Sequence, residues 1–191
     1  MLINKMKISV EDEKLGSFSQ KHERFYLGYS SFVFRALQKP KFQDFLCWML
    51  KREEIEEQNV KVVHINVLPL RRKGGRGIAG KCNPAQGKIR IYPKTVEFCQ
   101  TFKRNFGRDN LSAYAGNRAR AALIHELLHL KYVRDEKTVR ELSEEYFCIF
   151  TNKQSTKNLD AFSLRKMVFA AKLNANDLIQ TAGRIKPRAW R

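Results

Sequence analysis

Acidic residues are scarce in this chain. Aspartate and glutamate number 19 against 37 lysines and arginines, so the formal net charge is 37 − 19 = +18 and the pI lies near 10.0. That excess is far more than solubility demands of 191 residues. It points to a polyanionic partner such as RNA, DNA or a ribonucleoprotein surface. Long apolar runs are missing as well. No stretch approaches the roughly 18 apolar residues that cross a bilayer, so no membrane span is expected. Residues Met1 to Ile8 lack the apolar core of a secretory signal, and a cytoplasmic location is expected. Cys47, Cys82, Cys99 and Cys148 form no C-x-x-C pair, which argues against a cysteine zinc site. They read as reduced thiols of an intracellular protein. Histidine is sparse: four residues, none after His129. There are no internal repeats and no low-complexity block. An apolar content of 43% nevertheless fits a globular chain with a real core.

The punctuation divides the chain into three parts: a flexible N-terminal arm over 1–28, a folded domain over 29–156, and a C-terminal helical extension with a basic tail over 157–191. From Tyr29 to about Glu57 the chain reads helical, broken at Pro40, with Phe42, Phe45, Leu46, Met49 and Leu50 at three- and four-residue steps. Lys51 to Glu57 reads as a solvated helix end. Val60 to Leu70 is rich in β-branched residues and reads as a strand, with His64 structural. Asn83-Pro84-Ala85-Gln86-Gly87 is a turn. Lys88-Ile89-Arg90-Ile91-Tyr92 alternates polar and apolar, a half-buried strand ended by Pro93. Helices follow at about 94–105 and 112–133. Asp135 is the expected N-cap of a helix over about Glu136 to Phe150.

Two basic segments stand out. Arg71 to Lys81 packs Arg71, Arg72, Lys73, Arg76 and Lys81 among four glycines. The tail carries Arg184, Lys186, Arg188 and Arg191 beside Trp190. Each reads as solvated surface or as a phosphate-binding element, because glycine permits close backbone approach and an indole can stack on a base.

The sharpest signal is His125-Glu126-Leu127-Leu128-His129, an H-E-x-x-H run inside a stretch of strong helix formers. Residues i and i+4 share one helix face, so both imidazoles can reach one metal ion. Glu126, one step round, can contact a water on that ion. Two nitrogen ligands with an adjacent carboxylate base are what a zinc hydrolase needs. The structural alternative is a pair of core histidines. It is weakened because Leu123, Ile124, Leu127, Leu128 and Leu130 would bury the helix, and buried imidazoles need partners.

A catalytic zinc ordinarily has three protein ligands. With no histidine downstream, zinc hydrolases whose third ligand is a later histidine are excluded, among them metzincins and SprT-like proteases. The downstream carboxylates are Asp135, Glu136, Glu141, Glu144 and Glu145. A short break at 134–135 implies a helical hairpin. The second helix has an apolar stripe of Val139, Leu142, Tyr146, Ile149 and Phe150. Glu136 flanks that stripe and is favoured, with Glu141 second.

This pattern, H-E-x-x-H followed by Glu136-Lys137-Thr138-Val139, resembles that of the gluzincin metallopeptidases. It is most similar to the small single-domain minigluzincins. Ala79-Gly80 and Lys88 to Pro93 also look like the strand preceding the active-site helix in that group. The resemblance covers roughly residues 60–150. It implies a small mixed sheet above an active-site helix and an antiparallel glutamate helix. It also implies Zn2+ held by His125, His129 and Glu136, with Glu126 as base. The basicity and the terminal extensions depart from the group.

The resulting expectation is an α+β zinc metallopeptidase, with extra N- and C-terminal helices. Glu126 would be general base toward a water on the zinc and would pass its proton to the leaving amine. The strand at 88–92, were it at a sheet edge, would pair with an extended polypeptide substrate. Tyr92, Tyr132 and Tyr146 are candidates for stabilising the oxyanion, though each fits a packing role. The rival expectation is a basic protein on the same fold, with zinc structural or lost, bound to nucleic acid or the ribosome through loop and tail.

Overall fold

The computed structural model of the chain describes residues 7–11, 20–70 and 77–152. Its strands are β1 (Ile8–Glu11), β2 (Val62–Asn66), β3 (Gly80–Asn83) and β4 (Lys88–Ile91). Its helices are α1 (Gln20–Leu37), α2 (Pro40–Arg52), α3 (Val96–Tyr132) and α4 (Glu136–Asn152). The class is α+β, as the sequence implied.

Alternation builds the sheet. Its order is β1-β2-β4-β3, with β1, β2 and β4 parallel and β3 antiparallel to β4. Ile8, Val63, Ile65, Ile89 and Ile91 point to one face and are buried. The helices cover that face. Leu123, Ile124, Leu127 and Leu128 of α3 are fully buried and share one core with the sheet. Burying each such side chain contributes about 1.5–3 kcal/mol. Arg118 ties helix to sheet: Nη1 donates to the Tyr92 carbonyl at 2.5 Å and Nη2 to the Ile78 carbonyl at 3.1 Å. No helix among the described residues is long and apolar enough to cross a membrane.

Three sequence expectations need correction. The arm over 1–28 is structured in part. Ile8–Glu11 adds a parallel strand beside β2, and α1 begins at Gln20 instead of Tyr29. The strand at 88–92 is not an edge, because β4 lies between β2 and β3. The edge beside it is β3, four residues with glycine and asparagine at its ends that carry almost no strand signal. Lys51 to Glu57 is not simply solvated, since Glu53 and Ile55 are buried. The C-terminal extension over 157–191 lies outside the described residues.

The helices expected at 94–105 and 112–133 meet at Gly107, whose backbone (φ 84, ψ 170) is not helical. The two limbs fold together there. The Phe102 and Tyr114 rings stack at 4.9 Å, whereas twelve positions along a straight helix span about 18 Å. Only glycine adopts this backbone without strain. Gly107→Ala should lower stability by about 1–3 kcal/mol in urea unfolding. An unchanged midpoint would mean that the reversal does not depend on this residue.

Candidate metal centre

Three side chains converge where α3 ends and α4 begins. The α3 termini are set locally. Thr95 Oγ1 accepts from the Phe98 N–H at 3.3 Å at the start, and Val133 closes the end with φ 40 and ψ −86. Positive φ is strained for a β-branched residue. Asp135 then caps α4 as the sequence suggested, accepting from the Thr138 N–H at 3.0 Å and the Thr138 hydroxyl at 2.7 Å. The tight turn brings Glu136 back over the last turn of α3.

His125 Nε2 and His129 Nε2 lie 3.2 Å apart. Glu136 Oε1 is 3.8 Å from the first and Oε2 is 3.4 Å from the second. One donor atom from each residue fits within a 4.8 Å span, a group that can hold a metal ion. Glu141 is exposed and outside that group.

The hydrogen bonds at the far side of each ring fix the tautomers. His129 Nδ1 lies 2.8 Å from the Val133 carbonyl, which only accepts, so Nδ1 carries the proton. The Ser143 hydroxyl gives its single proton to the Val139 carbonyl at 2.5 Å. It must therefore accept from His125 Nδ1–H, at 3.2 Å. In the neutral rings both Nε2 atoms are thus bare lone pairs aimed at one another and at a carboxylate. Such an arrangement is repulsive unless a cation lies among them. Partners of this kind orient metal-binding histidines.

Electrostatics favour the ligand forms. Burial lowers the His125 pKa below its ordinary value, and His129 adds to this. Burial alone would raise the Glu136 carboxyl, but the Arg140 hydrogen bond and the two imidazoles outweigh it, and the net direction is down. Arg140 Nη2 donates to Glu136 Oε1 at 3.1 Å.

Glu126 is buried, with 7% of its surface exposed. It lies under the edge strand. A Cβ on Gly80 would stand 2.6 Å from Glu126 Cγ and 2.7 Å from Oε1, so only glycine leaves room for this carboxylate. Cys82, two residues on and facing the same side, has its thiol pushed up to about 12, by burial first and then by Glu126.

The two lower tyrosines are committed elsewhere. Tyr132 OH donates to Glu53 Oε2 at 2.7 Å and Tyr146 OH donates to Glu53 Oε1. Lys131 Nζ donates to the Glu53 carbonyl at 2.7 Å. Their hydroxyls are thus taken, which removes them as oxyanion groups. Tyr92 is buried. The buried Glu53 joins the end of α2 to both helices of the site.

Ser143 and Glu53 were not legible as site residues. A serine inside the apolar stripe of α4 was the available signal for the first. The second was hidden in a charged run. Of the expected nucleic-acid residues, Lys81 is exposed on β3. Arg71, Arg72, Lys73, Arg76, Arg184, Lys186, Arg188, Trp190 and Arg191 lie outside the described residues. Comparison with protein-family models, curated proteins and solved structures finds no match to this chain.

Removing the Glu53 carboxylate strands the buried Tyr146 hydroxyl. Glu53→Ala should cost about 1–3 kcal/mol in urea unfolding, the penalty of a buried unpaired polar group. Tyr132→Phe, at a half-buried position, should cost less. Equal unfolding midpoints for Glu53→Ala and the parent would show that the phenols find other partners.

Proposed function

We propose that the protein is a zinc-dependent metallopeptidase. The observation that carries this reading is the pair of Nε2 atoms, 3.2 Å apart and facing Glu136. Two neutral imidazoles and one carboxylate suit Zn2+ and leave a fourth position open. His125, His129 and Glu136 would hold the ion. The bound ion supplies Lewis acidity, lowering the pKa of a coordinated water and polarising a peptide carbonyl.

The chain's own residues do the rest. Glu126 takes a proton from the attacking water and returns it to the leaving amine. Its burial beneath Gly80 keeps bulk water from competing for that proton. Ser143 and the Val133 carbonyl hold the imidazoles in the ligand tautomer. An extended polypeptide pairs with the edge of β3, which has no further strand beside it among the described residues and runs past Glu126, instead of with the interior strand β4. Four free cysteines fit a reducing cytoplasm.

Elemental analysis and a cleavage assay on an unfolded polypeptide test the reading. The parent should hold one zinc and cleave. His129→Ala should lose the zinc. Glu126→Gln should keep it and lose about 10²–10⁴-fold in rate. Zinc retained with no cleavage by the parent would favour a structural ion and sink the peptidase.

Two further substitutions probe the surroundings. Ser143→Ala should weaken zinc affinity by about 10–100-fold, measured against a chromophoric chelator. Gly80→Ala should displace Glu126 without touching the donors, so that cleavage falls while zinc remains. Loss of zinc in Gly80→Ala would show that the strand supports the donors as well.

A further inference from the structure

The outer face of the sheet is chemically unlike the inner one. By alternation, the residues turned away from the helices are Lys7, Ser9 and Glu11 along β1, Val62, His64 and the buried Asn66 on β2, Lys88 and Arg90 on β4, and Lys81 and Asn83 on β3. Ser9, His64, Arg90 and Lys81 form one transverse row by their register. Val62, Lys88 and Asn83 form the next. Lys7, Lys81, Lys88 and Arg90 are exposed. The face bears one acid among these positions, Glu11, which pairs with Arg90 at 3.2 Å.

Parallel strands are ordinarily apolar on both faces, because helices cover both. Here three parallel strands carry cations and polar groups on one side. Simple solvation would suit a balanced mixture of charges, as on most surfaces. An excess of cations in register on a flat platform, in a chain of net charge +18, suits an extended polyanion. Among the described residues the platform carries no Phe, Tyr or Trp, and its one ring, His64, is half-buried with Nδ1 at 3.1 Å from the Ser9 hydroxyl, so the cations face phosphates more than bases.

We propose that this outer sheet face binds the phosphate backbone of a nucleic acid without reading its sequence. The contacts are Lys81, Lys88 and Arg90, with Lys7 at the margin. The metal centre lies on the opposite side of the sheet, where Glu126 meets Gly80. Backbone binding and access to the metal are therefore compatible, and neither depends on the other.

The test uses the full chain and two labelled probes, an oligouridylate and a mixed-sequence duplex DNA, titrated at about 50 and 200 mM salt. The parent should bind both, with affinity falling steeply as salt rises. K81Q/K88Q/R90Q should weaken binding by about tenfold or more at the lower salt. It should reduce the single-strand salt slope by about two, since each phosphate contact contributes about 0.7. The control K103Q/R104Q/R108Q removes three exposed cations from the first limb of α3 and the Gly107 bend. It should have a much smaller effect. K81Q and K88Q alone, at solvated positions, give the same reading in smaller steps should the triple variant fail to fold. Equal weakening by the control would assign binding to diffuse charge and overturn the proposal. So would the absence of binding at low salt. Competition by polyglutamate as effective as that by oligouridylate would assign the face to an acidic protein and also overturn it. His129→Ala should bind as the parent does, which separates this proposal from the peptidase reading.

Discussion

Helix α3 carries two polar rings through one of the most buried stretches of the protein, and the arrangement around them follows from that conflict. Leu123, Ile124, Leu127 and Leu128 are fully buried, and the His125 and His129 side chains keep only 25% and 15% of their surface exposed. An imidazole held there must satisfy both nitrogens. Each Nδ1 is met from outside the helix face, one by Ser143 of α4 and one by the carbonyl of the strained residue that ends α3. The strain at Val133 is offset by that bond and by the Val133 N–H, which donates to the His129 carbonyl at 3.1 Å. Both Nε2 atoms are then left facing inward with lone pairs. The geometry that satisfies the outer nitrogens thus leaves the inner ones placed where they could share a metal ion.

The second support is the buried carboxylate of Glu53. It gathers Tyr132 from the end of α3 and Tyr146 from the middle of α4. The hairpin of the two helices is therefore tied to the end of α2 as well as closed at its own turn. Buried charges survive only when fully partnered, and here the partners come from two separate helices, α3 and α4. The cost of disturbing any one of them is shared by the site.

The sheet divides two environments. Its inner face is apolar apart from the place where Gly80 admits Glu126. Its outer face holds cations in register. Arg118, reaching the Tyr92 and Ile78 carbonyls at one end of the β3–β4 pair, ties the edge strand to the helix. One thin layer thus sets the position of the candidate base and displays the charge on its other side.

Much of this was legible in order of residues. The i, i+4 histidines, the apolar helix around them, the Asp135 cap, the Asn83–Gly87 turn and the alternating β4 all depend on neighbours within a turn or a pleat, and local periodicity reports them. The α+β class followed from the same patterns. What the sequence could not carry were relations between distant segments. Glu53 sits in a charged run typical of a solvated surface, and only its meeting with two tyrosines some 79 and 93 positions away makes it a buried anchor. Ile8–Glu11 became a strand because β2 offered it a parallel partner. Gly80 was part of a loop by composition and became an edge strand because β4 paired with it. Strand order, and with it the choice between β3 and β4 as the free edge, is decided by pairing across the sheet. Side-chain period within one strand is the same wherever that strand lies, so no local pattern distinguishes an edge from an interior position.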